Sequence, residues 1–226
     1  MNKSIKQMVD EYSHLFFYYY ECEERGDLQE AERISQEKNY LIKELKVIGY
    51  DVGELVESLK TKKAFQNEFQ TVILFSDGGV RNNHDPLQKS MAASAFVVYG
   101  DQHMLKHESA WIGDSITLPT GECVNVNSTL AEYHGLLKAL LFCEKHQIKS
   151  KQVIFLTDCA TMVQHVTKKV PSHPMLKDFA QDLRDRLNTL SNVEVKYIPR
   201  EHNKVADTLV NQLMDEYERR EMCATN

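Results

Sequence analysis

The chain has 226 residues, 42% of them hydrophobic and 27% charged, with 27 Lys+Arg against 33 Asp+Glu and a formal charge of −6. This excludes a small scaffold or a disordered chain and speaks against a polyphosphate binder that is basic all over, but not against a nuclease whose carboxylates hold cations. The longest apolar and aromatic run, residues 15–20, falls short of the roughly 20 residues that cross a bilayer, and Cys22, Cys123, Cys143, Cys159 and Cys223 never form C-x-x-C, so the expectation is a soluble protein of the reducing cytoplasm.

Residues 1–68 contain no proline and read as helices, with ten Lys+Arg against fourteen Asp+Glu. Ile5, Met8, Val9, Tyr12, Leu15, Phe16 and Tyr19 recur at helical intervals. Gly26-Asp27 interrupts the pattern, and Asp27 is placed to cap a second helix through Ala31, Ile34, Tyr40, Leu41, Leu45 and Ile48 that stops at Gly49. A third, shorter helix is expected over residues 53–65. The aromatic run Phe16 to Tyr20 is expected to pack the hairpin core, with a protein-partner or dimer surface as the sharper alternative.

At Thr71 the composition changes to the buried-strand run Thr71-Val72-Ile73-Leu74-Phe75, which is expected to end at Ser76-Asp77-Gly78-Gly79. The domain boundary is therefore placed at residues 67–70, with domains 1–68 and 69–226. Antiparallel strands follow over residues 93–99 and 104–112. Next come a helix over 127–145, an apolar strand over 151–157 ending on Asp158, helices over 158–169 and 174–190, a strand over 193–198 and a helix over 203–219. The expected order is βββαβααβα.

Two apolar strands thus each deliver an aspartate, Asp77 and Asp158, at a carboxyl end, the edge of an open α/β sheet where sites form. Glu132 lies near the start of the intervening helix, and Asp207 lies in the first turn of the last one. Four converging carboxylates repel one another unless hard cations sit among them, and oxygen-only ligation favours Mg²⁺ or Mn²⁺. Two such ions suit in-line displacement at a phosphodiester.

Four motifs, Ser76-Asp77-Gly78-Gly79, Leu130-Ala131-Glu132-Tyr133, Leu156-Thr157-Asp158 and Pro199-Arg200-Glu201-His202-Asn203-Lys204-Val205-Ala206-Asp207, in this order, resemble ribonuclease H type 1. The resemblance is to the branch of ribonuclease H-like, reverse-transcriptase-like proteins of bacteria, archaea and plants. It covers residues 71–217 and implies an α/β fold with a mixed five-stranded sheet flanked by helices, preceded here by an α-helical N-terminal domain. It also implies cleavage of the RNA strand of RNA–DNA hybrids with two Mg²⁺ or Mn²⁺ ions held by Asp77, Glu132, Asp158 and Asp207, Asp77 bridging. His202 is in position to shuttle protons. Arg200 is matched to a phosphate contact and Asn203 to ordering the site, while Gly78, Gly79, Asn82, Ser128 and Thr129 fall at substrate-side positions.

The chain departs from the family where the hybrid's minor groove is read. Ser128-Thr129 stand where the family commonly has paired asparagines, Ala160 stands where it has a polar residue, and residues 80–86 replace its glycine-rich turn. The insertion that some relatives use to grip the duplex is missing, leaving Lys145, Lys149, Lys151, Lys168 and Lys169 as scattered phosphate-contact candidates. The rival readings are a hybrid- or RNA-binding protein without turnover and a related nuclease acting on another duplex.

Overall fold

The computed structural model describes residues 3–64, 69–82, 90–168 and 174–224. The chain divides into two compact units, Met1–Asn67 and Glu68–Asn226.

The first unit holds α1 (Ile5–Arg25), α2 (Leu28–Val47) and α3 (Val52–Ala64). Ser4 caps α1 in a reciprocal box with Gln7, and Gly26, at φ 76°, takes the left-handed conformation that ends it. The Asp27 side chain accepts the Glu30 amide, so the expected cap of α2 is realised. Met8, Tyr12, Leu15, Phe16, Ile34, Leu41, Leu45, Val52 and Leu59 form the core, with Phe17, Tyr18, Tyr19 and Tyr20 packed half-buried against it. The Lys38 ammonium lies 4.1 Å from the Tyr19 ring centroid and 5.2 Å from that of Phe16, a cation–π contact tying α2 to α1. The Phe65 end expected for the third helix lies outside the described residues.

The second unit holds a five-stranded sheet in the order β3-β2-β1-β6-β7, from β1 (Phe69–Arg81), β2 (Met91–Gly100), β3 (His103–Gly113), β6 (Ser150–Thr157) and β7 (Val193–Tyr197). β1, β2 and β3 are antiparallel neighbours, whereas β1–β6 and β6–β7 are parallel. The helices are α4 (Ser128–His146), α5 (Ala160–Thr167), α6 (Pro174–Thr189) and α7 (Lys204–Ala224), with a 3₁₀ turn at Arg200–His202. A small hairpin, β4 (Ser115–Thr117) with β5 (Cys123–Asn125), precedes α4 and was not expected.

Strand alternation sorts the layers. On β2, Ser94 hydrogen-bonds His134 of α4 and the Phe96 ring lies 5.3 Å from that of Phe142, while Ala93 and Ala95 pack with Val210 and Met214 of α7. α4 buries Leu130, Ala131, Tyr133, Gly135, Leu136, Ala139, Leu140, Phe142 and Cys143. A helix with so broad a buried face lies mostly within the core, with exposed residues such as Ser128, Leu141, Glu144 and Lys145 on its remaining side.

One expectation is corrected. β1 does not end at Ser76 but runs on through Asp77, Gly78 and Gly79 to Arg81, pairing with β2 as far as Arg81↔Met91. Only the parallel pairing stops short, at Phe75↔Leu156. The Gly-Gly pair reads as a turn by composition, yet it sits in the ladder because helices approach the strand from both sides. A Cβ on Gly78 would lie 2.1 Å from the Ala131 carbonyl carbon of α4, and one on Gly79 would lie 2.9 Å from Val210 Cγ1 of α7.

Candidate metal centre

Asp77 lies two residues past the last parallel pair of β1, where β1 and β6 part, and Asp158 follows the last residue of β6. A gap of this kind at the carboxyl edge leaves room for a site. Glu132 arrives from the opening turns of α4. Its position is set by Gly78 and by Gly135, one turn further along the helix, where an added Cβ would meet the Asp77 carbonyl oxygen at 2.6 Å. The two glycines let the helix backbone lie directly on the strand.

Asp77, Glu132 and Asp158 each present a ligand atom, all within 4.8 Å of one another. Asp77 is buried, and Glu132 Oε2 is a buried oxygen with no hydrogen-bond partner. Burial, followed by the charges of Asp158 and Asp207, raises the Asp77 pKa to about 6. Burial, followed by Asp77 and Asp158, raises that of Glu132 to about 9. Three oxygen ligands, one of them orphaned and two resisting ionisation, make a donor set that fits a hard divalent cation.

Asn203, 1% exposed, is the internal clamp: its Nδ2 donates to Asp158 Oδ1 at 2.6 Å and to the Ser76 carbonyl at 3.0 Å, joining the ends of β6 and β1. Asp207 stands outside the group of three. Its Oδ1 accepts from Arg200 Nη2 at 2.7 Å, although its charge is close enough to act on Asp77.

The other sequence candidates take different places. His202 is exposed and lines an apolar groove with Ile73, Phe75, Tyr99, Gln102 and Val205. Asn82, at φ 60°, adopts the left-handed conformation just after β1, which asparagine tolerates. Gly79 packs on α7. Ser128 is exposed and Thr129 half-buried at the start of α4, where the cap is made by Asn127, whose side chain accepts the Leu130 amide. Ala160 is exposed on the first residue of α5. Lys149 and Lys151 are exposed at the opposite end of β6 from Asp158, roughly 23–30 Å away along an extended chain at about 3.3 Å per residue. Lys169 and residues 83–86 lie outside the described residues.

Sequence reasoning did not single out Gly135, although a glycine inside an apolar helix costs about 1 kcal/mol and so signals a close approach. It also left out two contacts beside Glu132: His134 Nδ1 with the Ser94 hydroxyl at 2.8 Å, and the Tyr133 hydroxyl with His165 Nδ1 at 2.5 Å. Burial holds the His134 pKa down, to about 4, so this ring is a neutral structural partner at physiological pH.

The raised acids make a prediction about binding. Without a cation at pH 7, Glu132 retains its proton and Asp77 is ionised, so cation binding should expel close to one proton per chain. Calorimetric titration with Mn²⁺ in two buffers of different ionisation enthalpy measures this release, which should fade by about pH 10. Binding without proton release at pH 7 would contradict the assignment of Glu132 as a ligand.

Comparison with known proteins agrees with this architecture. Residues 118–213 match a protein family described as reverse transcriptase-like, a stretch that includes Glu132, Asp158 and Asp207 but not Asp77. No curated protein sequence matches the chain. Among solved structures, RNase H1 of the archaeon Halobacterium salinarum NRC-1 is 21% identical with a TM-score of 0.54, covering 65% of this chain and 98% of its own. LC11-RNase H1, isolated from compost and solved with an RNA/DNA hybrid, is 24% identical with a TM-score of 0.54, covering 65% and 98%. The N-terminal RNase H domain of a Mycobacterium tuberculosis protein is 23% identical with a TM-score of 0.54, covering 67% and 98%. The second unit has a ribonuclease H-like fold. Its resemblance to ribonuclease H type 1 stands, and an N-terminal helical segment precedes it.

Proposed function

We propose that the protein is an endoribonuclease that hydrolyses the RNA strand of RNA–DNA hybrids. The observation that carries this reading is the group of Asp77, Glu132 and Asp158 on the sheet edge of a ribonuclease H-like fold, with an orphaned Glu132 oxygen. Asp207, one helical turn into α7, completes a set of four. Two Mg²⁺ or Mn²⁺ ions held there supply Lewis-acid activation of water and stabilisation of the leaving oxygen. Asp77 would serve both ions, with Glu132 and Asp158 holding one and Asp207 the other. Asn203 holds Asp158 by an uncharged amide, which fixes its orientation without competing for its charge. Arg200, on a solvent-facing turn, contacts a backbone phosphate. Ser128 and Thr129 at the α4 start face the minor groove and Asn82 borders it, while Gly78 and Gly79, packed beneath α4 and α7, act only by letting the helices close on the strand; His202, beside the site, takes up a proton as product leaves.

A binding protein without turnover is the weaker reading, because a binder has no use for carboxylates that raise one another's pKa. The hybrid in the LC11-RNase H1 structure lends support to the choice of substrate. The test is a panel of labelled hybrid, duplex RNA, duplex DNA and single strands, each with Mg²⁺ or Mn²⁺. Hybrid should be cut in preference, but slowly. Ser128 and Thr129 hydroxyls reach less far than amides, Ala160 offers no polar group, and each lost hydrogen bond is worth about 0.5–1.5 kcal/mol. Low salt should help, since phosphate contacts supply much of the affinity. Preference for duplex RNA or DNA would replace the reading with the related-nuclease alternative.

All the proposed ligands fall within the second unit, so we propose that residues 68–226 are an independent domain and that the helical segment serves as a protein-partner or dimer surface. The shortened chain should fold and retain Mn²⁺-dependent cleavage at saturating substrate. Solubility only when residues 1–67 are supplied would mean a shared core. The proposed location is the cytoplasm, where five free, scattered cysteines stay reduced; among the described residues no helix is long and apolar enough to span a bilayer.

A further inference from the structure

We propose that Arg200 is the resident counter-cation of Asp207, so that the cation held by Asp207 enters by exchange with a guanidinium, whereas the cation held by Asp77, Glu132 and Asp158 enters without one. This rests on the metal reading of the site given above.

The three-carboxylate group and Asp207 differ in what already occupies them. Asp158 is held by the Asn203 amide, and Glu132 carries an unpartnered oxygen; among the described residues no fixed positive charge bonds to either. Asp207, by contrast, has one oxygen taken by Arg200 Nη2 at 2.7 Å. The Arg200 side chain is 76% exposed against 29% for that of Asp207, so the guanidinium reaches in from solvent over a carboxylate that is mostly enclosed. Its charge also reaches Asp158, Asp77 and Glu132.

The backbone beneath this side chain is anchored. The His202 amide donates to the Pro199 carbonyl, the Asn203 amide to the Arg200 carbonyl and the Asp207 amide to the Asn203 carbonyl, and Asn203 itself is buried. The exchange therefore needs only side-chain rotation about an anchored turn, and no backbone shift. A doubly charged cation at Asp207 would stand where the guanidinium now lies, and like charges cannot share the position. The freed fork is then available for a phosphate, whose planar, bidentate recognition suits arginine.

The consequence is a pair of binding steps, compared above about pH 9 where Glu132 has already lost its proton: a tighter step at the three-carboxylate group and a weaker one at Asp207, weakened by the ion pair to be broken. An exposed ion pair of this kind changes an equilibrium constant by up to about five-fold. The experiment is Mn²⁺ titration of the full chain, read by the paramagnetic resonance signal of the free ion, for the wild type, Arg200→Gln, Lys204→Gln and Asp77→Asn. Lys204→Gln removes the same charge from the neighbouring exposed position. Arg200→Gln should tighten the weaker step about two- to five-fold and leave the tighter one in place, with less than half that effect for Lys204→Gln. An unchanged or loosened weaker step, a single step insensitive to Arg200→Gln, or an equal effect from Lys204→Gln would overturn the exchange. If the wild type binds no Mn²⁺, or Asp77→Asn binds it as well as the wild type, the metal reading itself falls and takes the exchange with it. Because Arg200 lies on the surface, its thermal unfolding curve without metal should match the wild type's, which separates a lost ion pair from a lost fold.

Discussion

Asp77→Asn or Asp158→Asn is expected to lower hybrid cleavage at least about a thousand-fold, because each removes a charged ligand from a set whose chemistry depends on cations held at fixed positions. The same Asp77 change should leave the metal-free protein as stable or more so. In that state the Asp77 pKa stands raised, to about 6, and that of Glu132 at about 9. A carboxyl whose folded pKa exceeds its unfolded value binds more protons folded than unfolded. Stability therefore falls as pH rises from about 4 to 6 on account of Asp77, and from about 4 to 9 on account of Glu132. At pH 7.5 the ionised Asp77 is a repelling charge, and an amide relieves it. Single-turnover cleavage and thermal unfolding in chelator measure the two halves. Undiminished cleavage by either variant, in preparations free of host nuclease, would remove that residue from the metal set.

Gly78→Ala should be the most damaging small substitution in the second unit. The added methyl would stand 2.1 Å from the Ala131 carbonyl carbon, 2.2 Å from its oxygen and 2.3 Å from the Glu132 amide nitrogen. All three are backbone atoms of α4, so no side-chain rotation relieves the contact. The helix has to lift off the strand, and Glu132 moves with it. The expected loss is about 3 kcal/mol or more, or failure to fold, since forced backbone shifts exceed ordinary overpacking. Gly79→Ala is the informative control. Its methyl would meet Val210 Cγ1 at 2.9 Å and Met214 Cε at 3.1 Å, and the methionine tip can move, so about 1–2 kcal/mol is expected. Denaturant unfolding of both variants gives the comparison. Equal stabilities would mean that α4 does not rest on the strand as closely as described.

That contact also marks where the sequence was and was not legible. The helices of the first unit could be read because Gly26, Asp27 and Gly49 punctuate an apolar period of 3.6 residues, and punctuation and period agree. β6 could be read because an apolar run ends on Asp158. β1 was cut short because Gly78-Gly79 carries the local signal of a turn, whereas their cause is non-local: the approach of α4 on one face and α7 on the other. The β4–β5 hairpin escaped because strands of three residues are too short to show alternation, and only the turn chemistry of Pro119-Thr120-Gly121 hinted at it. At the site, the motif order drew attention to Asp77, Glu132, Asp158 and Asp207. What no spacing could show is that three of them share a space of 4.8 Å while the fourth is engaged by Arg200. That split depends on the anchored turn and the buried Asn203, which are consequences of packing.

The central claim is hydrolysis of RNA within a hybrid by a cation-dependent carboxylate centre. The most direct measurement uses one hybrid labelled on both strands, incubated with the full chain in Mn²⁺, in Mg²⁺ and in chelator, and in parallel with Asp77→Asn. The account predicts internal cuts in the RNA strand with either cation, an intact DNA strand, and no cuts in chelator or with the variant. Cutting that persists in chelator or in Asp77→Asn, or a wild-type chain that binds Mn²⁺ yet leaves the RNA strand whole, would contradict it.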